Sequence, residues 1–245
     1  MKPDYPTLFF FELGQWYDYL MLVVVIAALA VMAWLAIRYK WVAIAVFIAI
    51  PVALTIFWWP TSRAGTNSDG WFPIVKQYSA LIGSLSLVAL PYFPKVRTKR
   101  WYLCIPPLIL AVNIIEAVIR DFQCYSIHGV DPSQGMVTWG GPWNIMNGIA
   151  GILNFLMISG WMGIYVSKGK NKQIIWGALT VGWIIASDLW NVAYVYHCLA
   201  ERAWYSGVAL LAPCTIPAFL PFGQGARNQS RAFYLIVCSA IGQNF

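Results

Sequence analysis

"WYLCIPPLILAVNIIEAVIR" occupies residues 101–120, and its reading decides the class of the whole chain. Twenty mostly apolar residues at 1.5 Å each cover the roughly 30 Å of hydrocarbon in a bilayer. The run therefore reads as a membrane span. It also carries Asn113, Glu116 and Arg120, spaced i, i+3, i+7 and so on one helical face. An ionised side chain in hydrocarbon costs at least about 2.5–3.5 kcal/mol, so that face is expected to meet other helices or water. A span of this kind implies a bundle around it.

The composition agrees. Of 245 residues, 60% are hydrophobic and only 10% charged, with a mean hydropathy of +0.64. Soluble domains carry about 25% charged residues. Fourteen Trp and thirteen Tyr suit the aromatic belts at membrane interfaces. The formal charge of +7 does not indicate nucleic acid, because Lys and Arg fall in short clusters between apolar runs with no basic stripe. The opening "MKPDYPTLFFFELGQWYDYL" lacks the basic n-region and small-residue cleavage site of a signal peptide. Residues 1–16 are expected to lie on the membrane as an interfacial segment, with the first helix retained.

The remaining apolar runs extend the pattern to an all-α, polytopic membrane helix bundle forming a single domain. Seven runs qualify as spans: 17–37, 41–59, 71–93, 101–120, 143–166, 174–196 and 204–222. An eighth, 232–245, covers only about 21 Å and is short or truncated. The longest connection is 121–142. Arg38 and Lys40, then Lys95, Arg97, Lys99 and Arg100, then Lys168, Lys170 and Lys172, then Arg227 and Arg231 all fall in odd-numbered connections. These are eleven of the sixteen basic residues. Asp4, Glu12, Asp69, Asp121, Asp131 and Glu201 fall in the N-terminal tail or the even connections. By the positive-inside rule the N-terminus is extracytoplasmic, in a plasma (inner) membrane.

That orientation brings several polar groups to one depth, in the outer half. Glu116 lies about one turn below the surface, with Asn113 and Arg120 on its face. Span 143–166 contributes Asn144 and Asn147, with Asn154 further in. Span 174–196 contributes Asp188, with Asn191 and Tyr194 above it, and span 71–93 contributes Lys76. Interhelical polar contacts average only about 0.6 kcal/mol in membranes, a small return for repeated insertion costs. A polar pocket open to the outside is expected, with Lys76 or Arg120 neutralising one acid. Asp188 is its proton carrier or general acid, and Glu116 its fixed charge.

Cys124 and His128 in connection 121–142 stand opposite His197 and Cys198. Both cysteines are extracytoplasmic, so a Cys124–Cys198 disulfide is expected. C-x3-H followed by an adjacent H-C pair is no recognised zinc-ligand spacing, and no metal is expected. Nor is a cofactor: run 204–222 has no lysine for a retinal Schiff base. The two histidines are also fewer than the three or so that zinc-binding seven-helix hydrolases need. "SDLWNVAY", residues 187–194, resembles the Asn/Trp/Glu/Tyr-bearing helix of fungal membrane-bound terpene cyclases. Asn191 stands where their Glu belongs, so that activity does not carry over. As a whole the chain resembles an uncharacterised bacterial family of multi-pass membrane proteins, which implies no function.

The pocket is expected to serve a transporter-like small-molecule or proton-coupled carrier, whose partners are the bilayer and a small or lipid-derived molecule. Two alternatives use the same residues: an intramembrane enzyme with paired carboxylates, or a ligand-binding sensory subunit. The inner half is poor in polar groups, which weighs against a through-pathway.

Overall fold

The computed structural model describes residues 15–65, 69–158, 164–166, 168, 174–176, 180–200 and 207. Six helices and two short hairpins make up these residues. Helix α1 (Trp16–Arg38) leads through Tyr39 alone into α2 (Lys40–Ser62), followed by α3 (Trp71–Tyr92) and α4 (Arg100–Cys124). Strands β1 (His128–Val130) and β2 (Val137–Trp139) precede α5 (Pro142–Leu156). Strands β3 (Ile164–Val166) and β4 (Ile174–Trp176) precede α6 (Val181–Cys198).

Among the described residues three helices, α2, α3 and α4, are long and apolar enough to cross a membrane. Many of their large apolar side chains face outward, among them Phe57, Ile56, Val112 and Ile119, each more than half exposed. Such a surface is compatible with lipid as the surrounding solvent.

Local chemistry explains how each helix is broken or closed. In α2, Pro51 lacks an N–H and crowds the preceding turn, and the helix widens into π turns at Ala45–Ala49 and Leu54–Trp58. Thr55 Oγ1 donates to the Pro51 carbonyl at 2.7 Å and shares a 2.6 Å hydrogen bond with Tyr78 on α3. At the C-terminus of α3, Arg97 donates from Nε to the Leu90 carbonyl and from Nη2 to that of Pro91, both at 2.7 Å. A cation there also complements the helix dipole. Helix α4 is interrupted at Cys104, just before Pro106 and Pro107, which have no N–H to donate.

Two cores result. Ala36, Ala43, Val46, Phe47, Leu81 and Val88 bind α1, α2 and α3 together. The larger core joins α3 through α6, around Ile114, Val118, Trp183, Trp190 and Tyr194. Helices α4, α5 and α6 pack closely because Gly151 faces both neighbours. A Cβ there would collide with Val118 and stand 2.7 Å from the Trp190 indole nitrogen.

Several sequence expectations are corrected. Run 143–166 is not one span: α5 has 15 residues, about 22 Å, and stops at Leu156. Residues 164–166 instead pair antiparallel with 174–176, Ile164 opposite Trp176. β-branched and aromatic residues suit a strand as well as an apolar helix, and length alone misled. Accordingly α6 starts at Val181, not at 174. Helix α4 runs on to Cys124, taking Asp121 and Cys124 out of the expected connection, and β1–β2 fills much of the rest. The fold is thus mostly helical with two small hairpins, not strictly all-α. Residues 1–14 of the interfacial segment, run 204–222 apart from residue 207, and run 232–245 lie outside the described residues.

Candidate functional site

Polar side chains gather in two places along α4. Toward α3, Lys76 Nζ donates to Glu116 Oε2 at 2.7 Å. Both side chains stay partly exposed, at 30% and 28%. Asn113, one turn away, donates to the Ile109 carbonyl of its own helix at 2.8 Å.

The second gathering is sealed. Asp121, fully buried, accepts from Asn147 Nδ2 at 2.8 Å through Oδ2. Through Oδ1 it accepts from Asn144 Nδ2 and the Cys198 thiol, both at 3.5 Å. Asn144 also donates to Cys198 Sγ at 3.4 Å, and its Oδ1 accepts from Gly141 N–H at 3.0 Å. That last bond closes the first turn of α5, so Asn144 is both helix cap and ligand of the carboxylate. Thr138 on β2 donates to the Cys198 carbonyl at 3.3 Å, fastening the hairpin to the end of α6.

Cys124 and Cys198 are neighbours here as free thiols, which corrects the expected disulfide. Cys124 ends α4 and is wholly buried, and Cys198 is engaged by Asp121, Asn144 and Cys124. The disulfide expectation rested on compartment alone, whereas these side-chain partners hold the thiols without a covalent bond.

Above this node sits a clasp. Arg120 pairs with Asp131, and both are almost completely buried. Asp131 Oδ1 also accepts from the Ser133 N–H and hydroxyl, each at 2.8 Å. The β1–β2 turn is thereby tied to α4. The hairpin rejoins α5 through Gly140, where any Cβ would run into the carbonyl oxygens of Cys124, Tyr125 and Ile127. His128 meets Trp139 edge-on across the strands at 4.8 Å, and His197 stacks on Trp143 at 5.7 Å. Among the described residues, no group of three or more His, Cys, Asp or Glu is arranged to hold a metal ion.

The residues singled out from the sequence thus fall into separate sets. Lys76 and Glu116 meet each other; Asn144, Asn147, Cys124 and Cys198 meet around Asp121; Arg120 turns to Asp131. Asp188 and Asn191 are half-buried on α6, and Tyr194 is buried there, stacked with Trp190 at 6.2 Å. Asp121, the centre of the sealed node, was missed because it looked like the first residue of a connection. One signal could have found it: Ala117, Asp121 and Cys124 are spaced four and three apart and continue the buried face of α4.

The chain belongs to a family of unknown function, DUF5692, whose model matches residues 12–245. No curated protein and no solved structure matches the chain.

Proposed function

We propose, since membership in this family brings no activity with it, that the chain is a membrane carrier for a small polar or charged molecule. Its binding site is Lys76 and Glu116, in the outer half of a membrane helix bundle. The basic residues of connections 94–100 and 167–173 support an inside location for those segments. On this reading the N-terminus and the β1–β2 hairpin face outside, across a plasma membrane.

The observation that carries the proposal is the state of the Lys76–Glu116 pair. It joins two apolar helices at 2.7 Å, yet both side chains stay nearly one-third exposed. A pair that only ties helices gains from being sealed, as Arg120–Asp131 is. An accessible pair can exchange its internal partner for a ligand's charge. A ligand that takes the place of either partner weakens their attraction and loosens α3 from α4, which couples binding to helix movement. Asp188, half-buried on α6, is the second acid of this scheme, with Asn113 and Asn191 as its amides.

A thermal-shift screen of the purified protein against small carboxylates, amines and amino acids tests the site. Compounds that raise Tm are then assayed for uptake into proteoliposomes under an imposed pH gradient. The charge-swapped variant Lys76→Glu/Glu116→Lys should keep its ligand-free Tm but lose the ligand response and the uptake. A swapped protein that binds and transports like the wild type would reduce the pair to a helix tie.

A further inference from the structure

The contact between Lys76 and Glu116 uses only part of what each side chain can bond. A lysine ammonium has three N–H donors, and a carboxylate has two acceptor oxygens. Lys76 gives one donor to Glu116 Oε2, at 2.7 Å. Among the described residues no other group bonds the ammonium, and Glu116 Oε1 receives no donor. Gly83 on α3 lies against Ile109 on α4, just as Lys76 lies against Glu116, so the two helices run antiparallel. Phe72 and Ile119 therefore stand one turn from the pair toward the same end, each on its partner's face. Both are exposed.

We infer that the ligand of this pair is an α-amino-acid zwitterion with an apolar side chain, an inference that rests on the carrier reading. A lone anion at Lys76 would stand beside the Glu116 carboxylate and leave it uncompensated. A lone cation at Glu116 meets the converse penalty. Charges without a partner are costly on helices this apolar. A zwitterion takes both places at once. Its carboxylate accepts from the spare Lys76 N–H groups while its ammonium donates to Glu116 Oε1, so four charges alternate and no net charge enters. The charges of the pair are in contact at 2.7 Å, so those of the ligand must also be close. In an α-amino acid a single carbon separates ammonium from carboxylate. A phosphatidylethanolamine headgroup holds its charges farther apart, across an ethyl chain and an ester oxygen. The side chain on the α-carbon can then lie over Phe72 and Ile119. Swapping the charges of the pair turns the ligand end for end and carries its side chain off that apolar edge.

The full chain in detergent is titrated with leucine, glycine, leucine methyl ester, N-acetylleucine, ε-aminocaproate and, in mixed micelles, phosphatidylethanolamine. Calorimetry and the thermal midpoint report binding. Leucine should bind at least about tenfold tighter than the ester, which lacks the anion, or N-acetylleucine, which lacks the cation. Tenfold is the ordinary worth of one hydrogen bond to a charged group. ε-Aminocaproate, with its charges at opposite ends of a chain, should bind no better than those two, and glycine should bind more weakly than leucine. Glu116→Gln keeps an acceptor but removes the charge, and should close the gap between leucine and N-acetylleucine. Lys76→Gln should close the gap between leucine and its ester. A merely structural pair would move the midpoints but not these ratios. Singly charged analogues that bind as tightly as leucine overturn the zwitterion and leave the carrier site standing. If no probe binds, the carrier reading falls with the inference. Binding confined to phosphatidylethanolamine, or a preference for leucine that survives both substitutions, also overturns it.

Discussion

Replacing Asp121 by Asn tests the sealed node with a change of almost no volume. The carboxylate works there because it only accepts: Oδ2 faces the Asn147 amide at 2.8 Å, while Oδ1 faces the Asn144 amide and the Cys198 thiol at 3.5 Å. An asparagine at 121 must aim its NH2 at one of these sides. Aimed at Asn147, it opposes two donors at short range. Aimed at Asn144 and Cys198, it keeps the short bond but breaks the two longer ones. The second arrangement is cheaper, and it also forfeits the charge that strengthens the Asn147 bond. A hydrogen bond to a charged group contributes about 1.5–3 kcal/mol, and an unsatisfied buried donor costs about 1–3 kcal/mol. Asp121→Asn should therefore destabilise the protein by about 2–3 kcal/mol. The exchange Asp121→Asn/Asn147→Asp returns a carboxylate to the same contact and should recover at least half of the loss. Unfolding in mixed detergent micelles, followed by tryptophan fluorescence, measures both. A single variant as stable as the wild type, or a double variant whose losses simply add, would refute the acceptor-only account.

Two further outcomes follow from the other contacts. Arg120→Met leaves the buried Asp131 carboxylate without its cation and should cost about 3–5 kcal/mol; Arg120→Met/Asp131→Asn, which keeps an acceptor for Ser133, should recover most of it. Hydrogen exchange at the Asp131 amide, which donates to the Met136 carbonyl at 2.8 Å, and at the Gly140 amide, which donates to that of Ile127 at 2.6 Å, would report release of the hairpin, and unchanged protection would refute the clasp. A cysteine introduced at Lys170 should resist a membrane-impermeant thiol reagent in intact cells, and labelling there would reverse the proposed orientation.

Family membership leaves the sealed node, the clasp and the accessible pair to be tested on their own chemistry. Their geometry already divides them by task. Asp121 and Asp131 have their partners supplied by the protein and are shut away. Glu116 pairs with Lys76 at 2.7 Å, and both side chains stay partly exposed.

The apolar helices were legible from residue order alone. Apolar content sums along a chain whatever the chain packs against, so Trp71–Tyr92 and Arg100–Cys124 fall where runs 71–93 and 101–120 were drawn. That Lys76 and Glu116 lie level with each other was legible for a similar reason, since position along the axis follows from counting 1.5 Å steps in each helix. Partner choice was not. Arg120 is within one turn of Glu116 on the same face, yet it pairs with Asp131, eleven residues further on. The hairpin that presents Asp131 exists only once β1 and β2 have paired. Asp121 looked like the end of a span because hydropathy counts every carboxylate as seeking water. Two amides and a thiol from α5 and α6 make its burial affordable, and only the packed structure brings them to it. Run 143–166 failed on the same ground: its apolar residues suit a helix or a strand equally, and pairing with residues 174–176 decides between them.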